Sequence, residues 1–312
     1  RDVSTTKPVN IPGQFHMRIS EGILDPVTVN TLVIDNGTDI VIFLSADLVV
    51  IRSHLLDEIR DKVKKINPAI PANKILMNAT HTHTGPSHYA DGGWDALKTG
   101  SSTVSPSELP ESGIEIASSD EYRDFLSTQA AEAINEAYQK CESGGIAYGY
   151  GFAVVSHSRR TIYFDDVSKR PGAQSNGYRV DGHGVMYGNT NDDNFSHYEA
   201  GADHFVNLLY TFNAAGALTG AIINVPCPSQ NSEGEYRLSA DYWHDVRVAI
   251  RKQYGNIFIL SQCAAAGDLS PRILHYKKAQ ERRFRLKYDM GQSKDGINQT
   301  ELAARKDIAE RI

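Results

Sequence analysis

The order of its short apolar runs is what most constrains the fold of this chain. Val27–Ile34 and Ile40–Leu44 are mostly β-branched or apolar and are separated by Asp35-Asn36-Gly37, which predicts two strands joined by a hairpin. Ser53 then stands before His54–Ile66, where Leu55, Leu56, Ile59 and Val63 share one face; this predicts a capped amphipathic helix, broken by Pro68 and Pro71. Lys74–Asn78 follows as a short buried strand. Strand, helix and strand in this order predict a parallel pair and an α/β layer.

The same grammar continues downstream. Ser119-Asp120 opens a second helix, Glu121–Cys141, with Phe125, Ala130, Ala133 and Ala137 on its inner side, and Gly144–Val155 returns as strand. His204–Phe212 and Ala217–Val225 flank the turn Asn213-Ala214-Ala215-Gly216 as another hairpin. Leu238–Tyr254 reads as a helix carrying Trp243, Val246, Ala249 and Ile250 on one face and stopped by Gly255; Ile257–Leu260 is a further buried strand, and Glu301–Ile312 a last helix. Ala90–Ser118 and Asp165–Asn194, rich in Gly, Ser, Pro, Asn and Asp, read as irregular excursions. The expected class is α/β: a mixed β-sheet with helices on both faces in one large domain over residues 1–312. A chain of 312 residues buries a core without staples. Its three cysteines, Cys141, Cys227 and Cys263, are too few and too odd for a disulfide framework. With 32 Lys and Arg against 38 Asp and Glu the chain lacks the basic excess of a nucleic-acid binder, and no apolar run approaches the roughly 20 residues that span a bilayer.

Polar clusters follow the strands, where open α/β sheets place their sites. In Asn78-Ala79-Thr80-His81-Thr82-His83-Thr84-Gly85-Pro86, His81 and His83 are two apart and on an extended backbone face the same way. They can hold one divalent metal together, or divide metal binding and proton handling, or be two hydrogen-bonded histidines at a strand end. Gly267-Asp268-Leu269-Ser270-Pro271 offers Ser270 as nucleophile or orienting hydroxyl, without the Gly-x-Ser-x-Gly elbow; a tight turn is the plainer reading. Arg159 and Arg160 suit a carboxylate, phosphate or oxyanion, or are surface charge. Asp241 and His244 are neighbours at a helix start, and Asp47 in Ser45-Ala46-Asp47-Leu48 is a turn carboxylate or a support for a site. His183 and Cys227-Pro228-Ser229-Gln230 are further polar points.

These segments, taken together and in order, resemble the N-terminal catalytic domain of the neutral/alkaline (non-lysosomal) ceramidase family. The likeness covers Gly13-Gln14 and Arg18, Ser45-Ala46-Asp47-Leu48, Ala79 to Pro86, Ser158-Arg159-Arg160 and Gly267 to Pro271. It implies a zinc amidase that splits an N-acyl bond, on a mixed sheet with helices on both faces followed by a smaller β domain. By match, His81 is a zinc ligand, His83 sits beside the metal as ligand or proton handler, Arg159 contacts substrate and Ser270 is the serine of the catalytic segment. Arg160, Asp268 and Gln230 are assigned to substrate binding. Where the family carries its second zinc histidine this chain reads Pro226-Cys227-Pro228-Ser229-Gln230, so Cys227, His244 or His183 is the expected replacement. The family's remaining Glu and Tyr ligands come later in its domain, so the chain is expected to be incomplete at its C-terminus. The departures point to a divergent bacterial-type member acting on a small-molecule or lipid-like amide, or on a smaller ester or carbohydrate-derived substrate, with a secreted or periplasmic location by resemblance. The alternative is a scaffold that has lost the zinc site and binds or cleaves a glycan or other polar ligand. His81, His83, Arg159 and Ser270 are expected to converge on one cleft.

Overall fold

The computed structural model describes residues 1–14, 18–89, 115–173, 180–288, 290, 296 and 298–312. The opening run folds as its pattern requires. β1 (Val29–Asp35) pairs antiparallel with β2 (Ile40–Ala46), and β2 pairs parallel with β3 (Ile75–Ala79) after a crossover through α1 (Ser53–Ile66). Leu55, Ile59 and Val63 of α1 are buried against this sheet. The helix begins one residue earlier than expected: Ser53 is its first residue, and Arg52 at the cap position makes no capping side-chain bond.

α2 (Ser119–Gln139) covers the same sheet. Its start is closed by a reciprocal capping box in which Ser118 accepts from the Glu121 amide and the Glu121 carboxylate accepts from that of Ser118. Tyr122, Leu126, Ala130 and Ile134 turn inward; Phe125, expected inside, is 40% exposed. Of the irregular excursion expected over 90–118, residues 90–114 lie outside the described residues.

The second half builds a separate mixed sheet. β4 (Gly144–Phe152), β10 (Phe205–Asn213), β11 (Leu218–Val225) and β12 (Phe258–Cys263) lie in the order β12-β11-β10-β4, antiparallel except for the parallel β11–β12 pair. That parallel pair is connected through α3 (Tyr242–Tyr254), which packs against α5 (Gln299–Arg311). Val225, Trp243, Val246 and Ile308 share this second core. α3 starts four residues later than Leu238 because Asp241, at φ 55°, caps it through the Tyr242 amide, while the Leu238 amide bonds the Gly22 carbonyl. Between β4 and β10 lie β5 (His157–Ser158), β6 (Arg160–Tyr163), β7 (Val180–Asp181), β8 (Gly184–Met186) and β9 (Phe195–Tyr198), of which β7 and β8 fall inside the 165–194 segment read as irregular. β7-β8-β6-β9 form a small sheet, and β5 pairs with β13 (Leu269–Ser270); α4 (Lys277–Lys287) follows. The chain is thus a mixed α/β domain with helices on both sides, its strands divided among several sheets.

The two large sheets meet where β12 contacts β1, β2 and β3. The Ser45 hydroxyl and the Asn78 amide both donate to the Ser261 carbonyl, at 2.5 and 3.1 Å. Beside them Arg247 of α3 makes a two-point pair with Asp47 at 2.7 and 2.9 Å, both side chains buried. Asp47 also accepts from the Thr28 amide and hydroxyl and from the Thr80 hydroxyl. Removing one partner of a buried pair costs about 3–5 kcal/mol, against about 0–1 for an exposed one. Arg247→Met is therefore expected to lower the unfolding free energy by about 3–5 kcal/mol in urea titrations. A loss below about 1 kcal/mol would show that Asp47 does not depend on Arg247.

Candidate active site

The histidine pair is built by the turn that leaves β3. The Thr80 amide donates to the Ala46 carbonyl, its hydroxyl to Asp47, and its carbonyl accepts from the Ser229 hydroxyl at 2.7 Å. The backbone then turns over sharply: His81 lies at φ 61°, a left-handed conformation that costs a non-glycine residue about 1–3 kcal/mol. The hydrogen bonds around it hold the turn. His81 Nδ1 contacts the Val49 carbonyl at 2.6 Å, and the Thr82 and Thr84 hydroxyls donate to the Ser239 carbonyl. Gly85 permits the next close approach, since a Cβ there would sit 2.6 Å from the Asp47 carbonyl oxygen. His81 and His83 do come together, with Nε2 atoms 3.3 Å apart and ring planes at 80°, but through a left-handed turn rather than an extended strand. Behind His83, Gly13 at φ +112° packs its backbone against the ring, and Arg18 donates to the His83 carbonyl.

Burial lowers the pKa of both imidazoles, His83 to about 3; at His83 the His81 ring and the Arg18 charge push the same way, and the Arg159 charge adds a smaller push at each. Both are neutral at pH 7. With Nδ1–H given to the Val49 carbonyl, His81 presents an unprotonated Nε2 to the site. On His83, Nε2 is 2.8 Å from the Gln230 amide nitrogen, which donates to it, and Nδ1 is 3.5 Å from Glu233 Oε2. Gln230 Oε1 is buried without a partner. Glu233 was not foreseen; no local motif marks it, and only the folding of its loop onto His83 reveals it.

Arg159 and the serine segment are held together by the β5–β13 ladder, Leu269 opposite Ser158 and Ser270 opposite His157. The Arg159 amide donates to the Asp268 carbonyl at 2.9 Å, and its guanidinium donates to the Gly267 carbonyl and the Tyr187 hydroxyl. This leaves an exposed, preset cation close enough to depress both histidines. Ser270 is 2% exposed, and its Oγ accepts from the Arg272 amide at 3.1 Å. Arg160, one residue along, points to an ion pair with Glu199 on the small sheet.

None of the candidates for a replacement ligand joins the pair in a metal-holding group among the described residues. The Cys227 thiol is buried among Val155, Val225 and Tyr242, points at the Val155 carbonyl, and is pushed well up by burial, so it stays protonated. His183 Nδ1 bonds the Tyr163 carbonyl, and His244 sits in the first turn of α3. Gln230 is the residue of the Pro226–Gln230 segment that faces the pair. Zinc–nitrogen bonds of about 2.0–2.1 Å at a tetrahedral angle place two ligand atoms about 3.3–3.4 Å apart. The His81–His83 spacing fits one edge of such a site. Among the described residues, no group of three or more His, Cys, Asp or Glu side chains completes it.

The fold defines a mixed α/β domain with a buried imidazole pair at a strand end. No family model and no curated protein matches the sequence. Among solved structures, the chain is similar to neutral ceramidase from Pseudomonas aeruginosa, at 17% identity and a TM-score of 0.65 over 99% of this chain and 42% of that one. It is likewise similar to a ceramidase complexed with C2, at 17% identity and a TM-score of 0.67 over 99% of this chain and 41% of that one. The chain thus spans about two fifths of the length of these structures.

A third histidine beside the motif sharpens the pH behaviour. His88 is fully buried, neither ring nitrogen has a partner, and burial, then the His54, Arg52 and Arg123 charges, lower its pKa to about 3. Its unfolded pKa is about 6.5, so between those values the unfolded chain binds the extra proton and stability falls as pH drops. The contribution is fully present above about pH 6.5 and declines by about 1.4 kcal/mol per pH unit below it. His88→Leu is expected to lose about 2 kcal/mol less than the parent between pH 6.5 and pH 5 in urea unfolding. Parallel losses in the two proteins would show that His88 is not held neutral.

Proposed function

We infer that this protein is a hydrolase that cleaves an amide (N-acyl) or related bond at the His81–His83 site with the help of a divalent metal, zinc by preference. The observation that carries the reading is the 3.3 Å approach of two neutral imidazole Nε2 atoms beside a preset guanidinium. His81 and His83 would hold the zinc ion, which would supply Lewis-acid polarisation of the scissile carbonyl and acidify an attacking water. The chain's own groups do the rest. Val49 fixes the His81 tautomer so that the Nε2 lone pair faces the site. Arg159, anchored on the Gly267 carbonyl and the Tyr187 hydroxyl, offers its charge to the developing oxyanion. Gln230 Oε1, buried with no hydrogen-bond partner, is the group of that side chain left to meet the polar edge of a bound substrate.

The pKa of His83, about 3, makes it a lone-pair donor at neutral pH rather than a strong base, because a general base works best with a pKa near the working pH. Ser270 is buried and receives the Arg272 amide, which favours water over Ser270 as the attacking group and gives Ser270 the role of holding its turn. Asp268 supports Arg159 through its carbonyl. A secreted or periplasmic setting agrees with the family resemblance, and no helix among the described residues is long and apolar enough to cross a membrane.

A second reading rests on its own observation. Gln230 stands where a third nitrogen ligand is expected, and a cavity of about 310 Å³ beside His83 is lined by Gln14, Arg18, Glu233, Tyr236, Arg272 and Glu301. Such a polar wall suits a small hydroxylated ligand better than two alkyl chains. Zinc titration by calorimetry, with hydrolysis of a short-chain N-acylsphingosine and of an N-acetylated amino sugar followed in parallel, separates the two. On the first reading, zinc binds, chelation removes turnover, and His81→Ala and Arg159→Ala each lower kcat/KM by about 10²–10³-fold. Zinc-independent turnover, or full activity in His81→Ala, would sink it.

A further inference from the structure

We propose that Glu233 is a positioning residue for His83, holding the ring in one tautomer and one orientation. The geometry is specific. Glu233 Oε2 lies 3.5 Å from His83 Nδ1, and its other oxygen is clamped by Arg272 at 2.5 Å. Arg272 also donates to the Asn231 carbonyl at 3.0 Å, so the cation that fixes the carboxylate is itself tied to the loop that carries it. The opposite side of the same loop is pinned by Arg18, which donates to the Glu233 and Glu235 carbonyls at 2.7 and 2.8 Å and to the His83 carbonyl. One buried guanidinium thus sets the distance between the histidine backbone and the glutamate backbone. Gly13 closes the remaining side, where a Cβ would strike the His83 ring at 2.8 Å.

The electrostatic consequence follows from the two ring nitrogens being unequal. A carboxylate facing Nδ1 favours the tautomer with its proton there. Nε2 is then a lone pair, which matches the Gln230 amide nitrogen 2.8 Å away and directs that electron pair toward His81. His83 Nδ1 is buried and makes no hydrogen bond, so what Glu233 contributes is its charge at 3.5 Å, and removing the carboxylate takes that bias away. The alternative tautomer then becomes competitive, with Nε2–H pointing at a second imidazole and at an amide donor.

The test is nitrogen NMR of protein labelled with ¹⁵N-histidine, which reads the tautomer of His83 directly and needs no substrate. In the parent, His83 is expected to show a protonated-type Nδ1 and a lone-pair Nε2. Glu233→Ala is expected to turn this into a mixture of tautomers, with the amide spectrum of the fold retained. Glu235→Ala, whose carboxylate pairs with Arg237, is expected to leave His83 unchanged. Should Glu233→Ala fail to fold, Glu233→Gln keeps the shape and an acceptor but removes the charge, and the Nδ1–H resonance is then expected to move. A proton on Nε2 in the parent, or His83 signals unchanged in the folded glutamate variant, would overturn the proposal. A kinetic arm, which alone rests on the hydrolase reading, expects Glu233→Gln to lower kcat by about 10–100-fold with KM little changed. A KM effect with kcat intact would assign Glu233 to substrate contact and would overturn the positioning role.

Discussion

The buried Asp47 carboxylate holds the two halves of the molecule in register. It closes β2, takes the hydroxyls of Thr28 and Thr80, and receives both terminal nitrogens of Arg247 from the far helix. Arg247 also reaches the Ser261 hydroxyl on β12 at 3.1 Å, so one ion pair touches the ends of β2, β3 and β12 at once. Burying two charges is expensive, and the cost is offset only when the geometry is good and the remaining lone pairs are satisfied. Here the threonine hydroxyls and the Thr28 amide do that for Asp47. An apolar pair of the same volume could fill the space, but it could not fix the position of Thr80, and Thr80 is the residue from which the histidine turn springs.

The strain at His81 makes sense in this light. A left-handed histidine is unfavourable by itself and persists only where its surroundings overdetermine it. The Val49 carbonyl on its ring, the Ser229 hydroxyl on the preceding carbonyl and two threonine hydroxyls on Ser239 supply that determination. The result is a pair of rings held at close range with lone pairs available and no net charge. In water two such imidazoles would drift apart or protonate; burial forbids both, at the cost of acid stability.

Much of this was legible in the sequence, and the failures have a common cause. The hairpins, the parallel β2–β3 pair and helices α1, α2, α3 and α5 follow from apolar periodicity and turn residues, which are local; α4, with only Phe284 buried, was not read from the sequence. The histidine pair was found because its members are two residues apart. Cys227 and Gln230 show the limit. Both lie in the segment expected to supply a ligand, and which of them faces the site depends on Ser229 bonding the Thr80 carbonyl about 150 residues away in sequence. That bond fixes the direction of the loop, turning Gln230 toward His83 and leaving Cys227 in the apolar core. The start of α3 was misplaced for a similar reason: Leu238 fits helical periodicity but is claimed by the Gly22 backbone. The strands inside 165–194 were missed because they are two or three residues long and are stabilised by neighbours rather than by their own pattern.

The two segments that first marked the chain as unusual, around His83 and around Ser270, are physically joined. The Ser270 hydroxyl takes the Arg272 amide, the Arg272 side chain clamps Glu233, and Glu233 faces the His83 ring. This gives Ser270 a use that does not require it to attack anything. A buried hydroxyl that receives a backbone amide fixes the turn in which Arg272 begins, and so sets where its guanidinium reaches. A serine in that place serves the imidazole pair at a distance of three contacts, and its replacement by alanine would be felt as a loosened carboxylate rather than as a missing nucleophile. Nearness in the motif order is therefore a poor guide to chemical role in this fold, and the hydrogen-bond path is the better one.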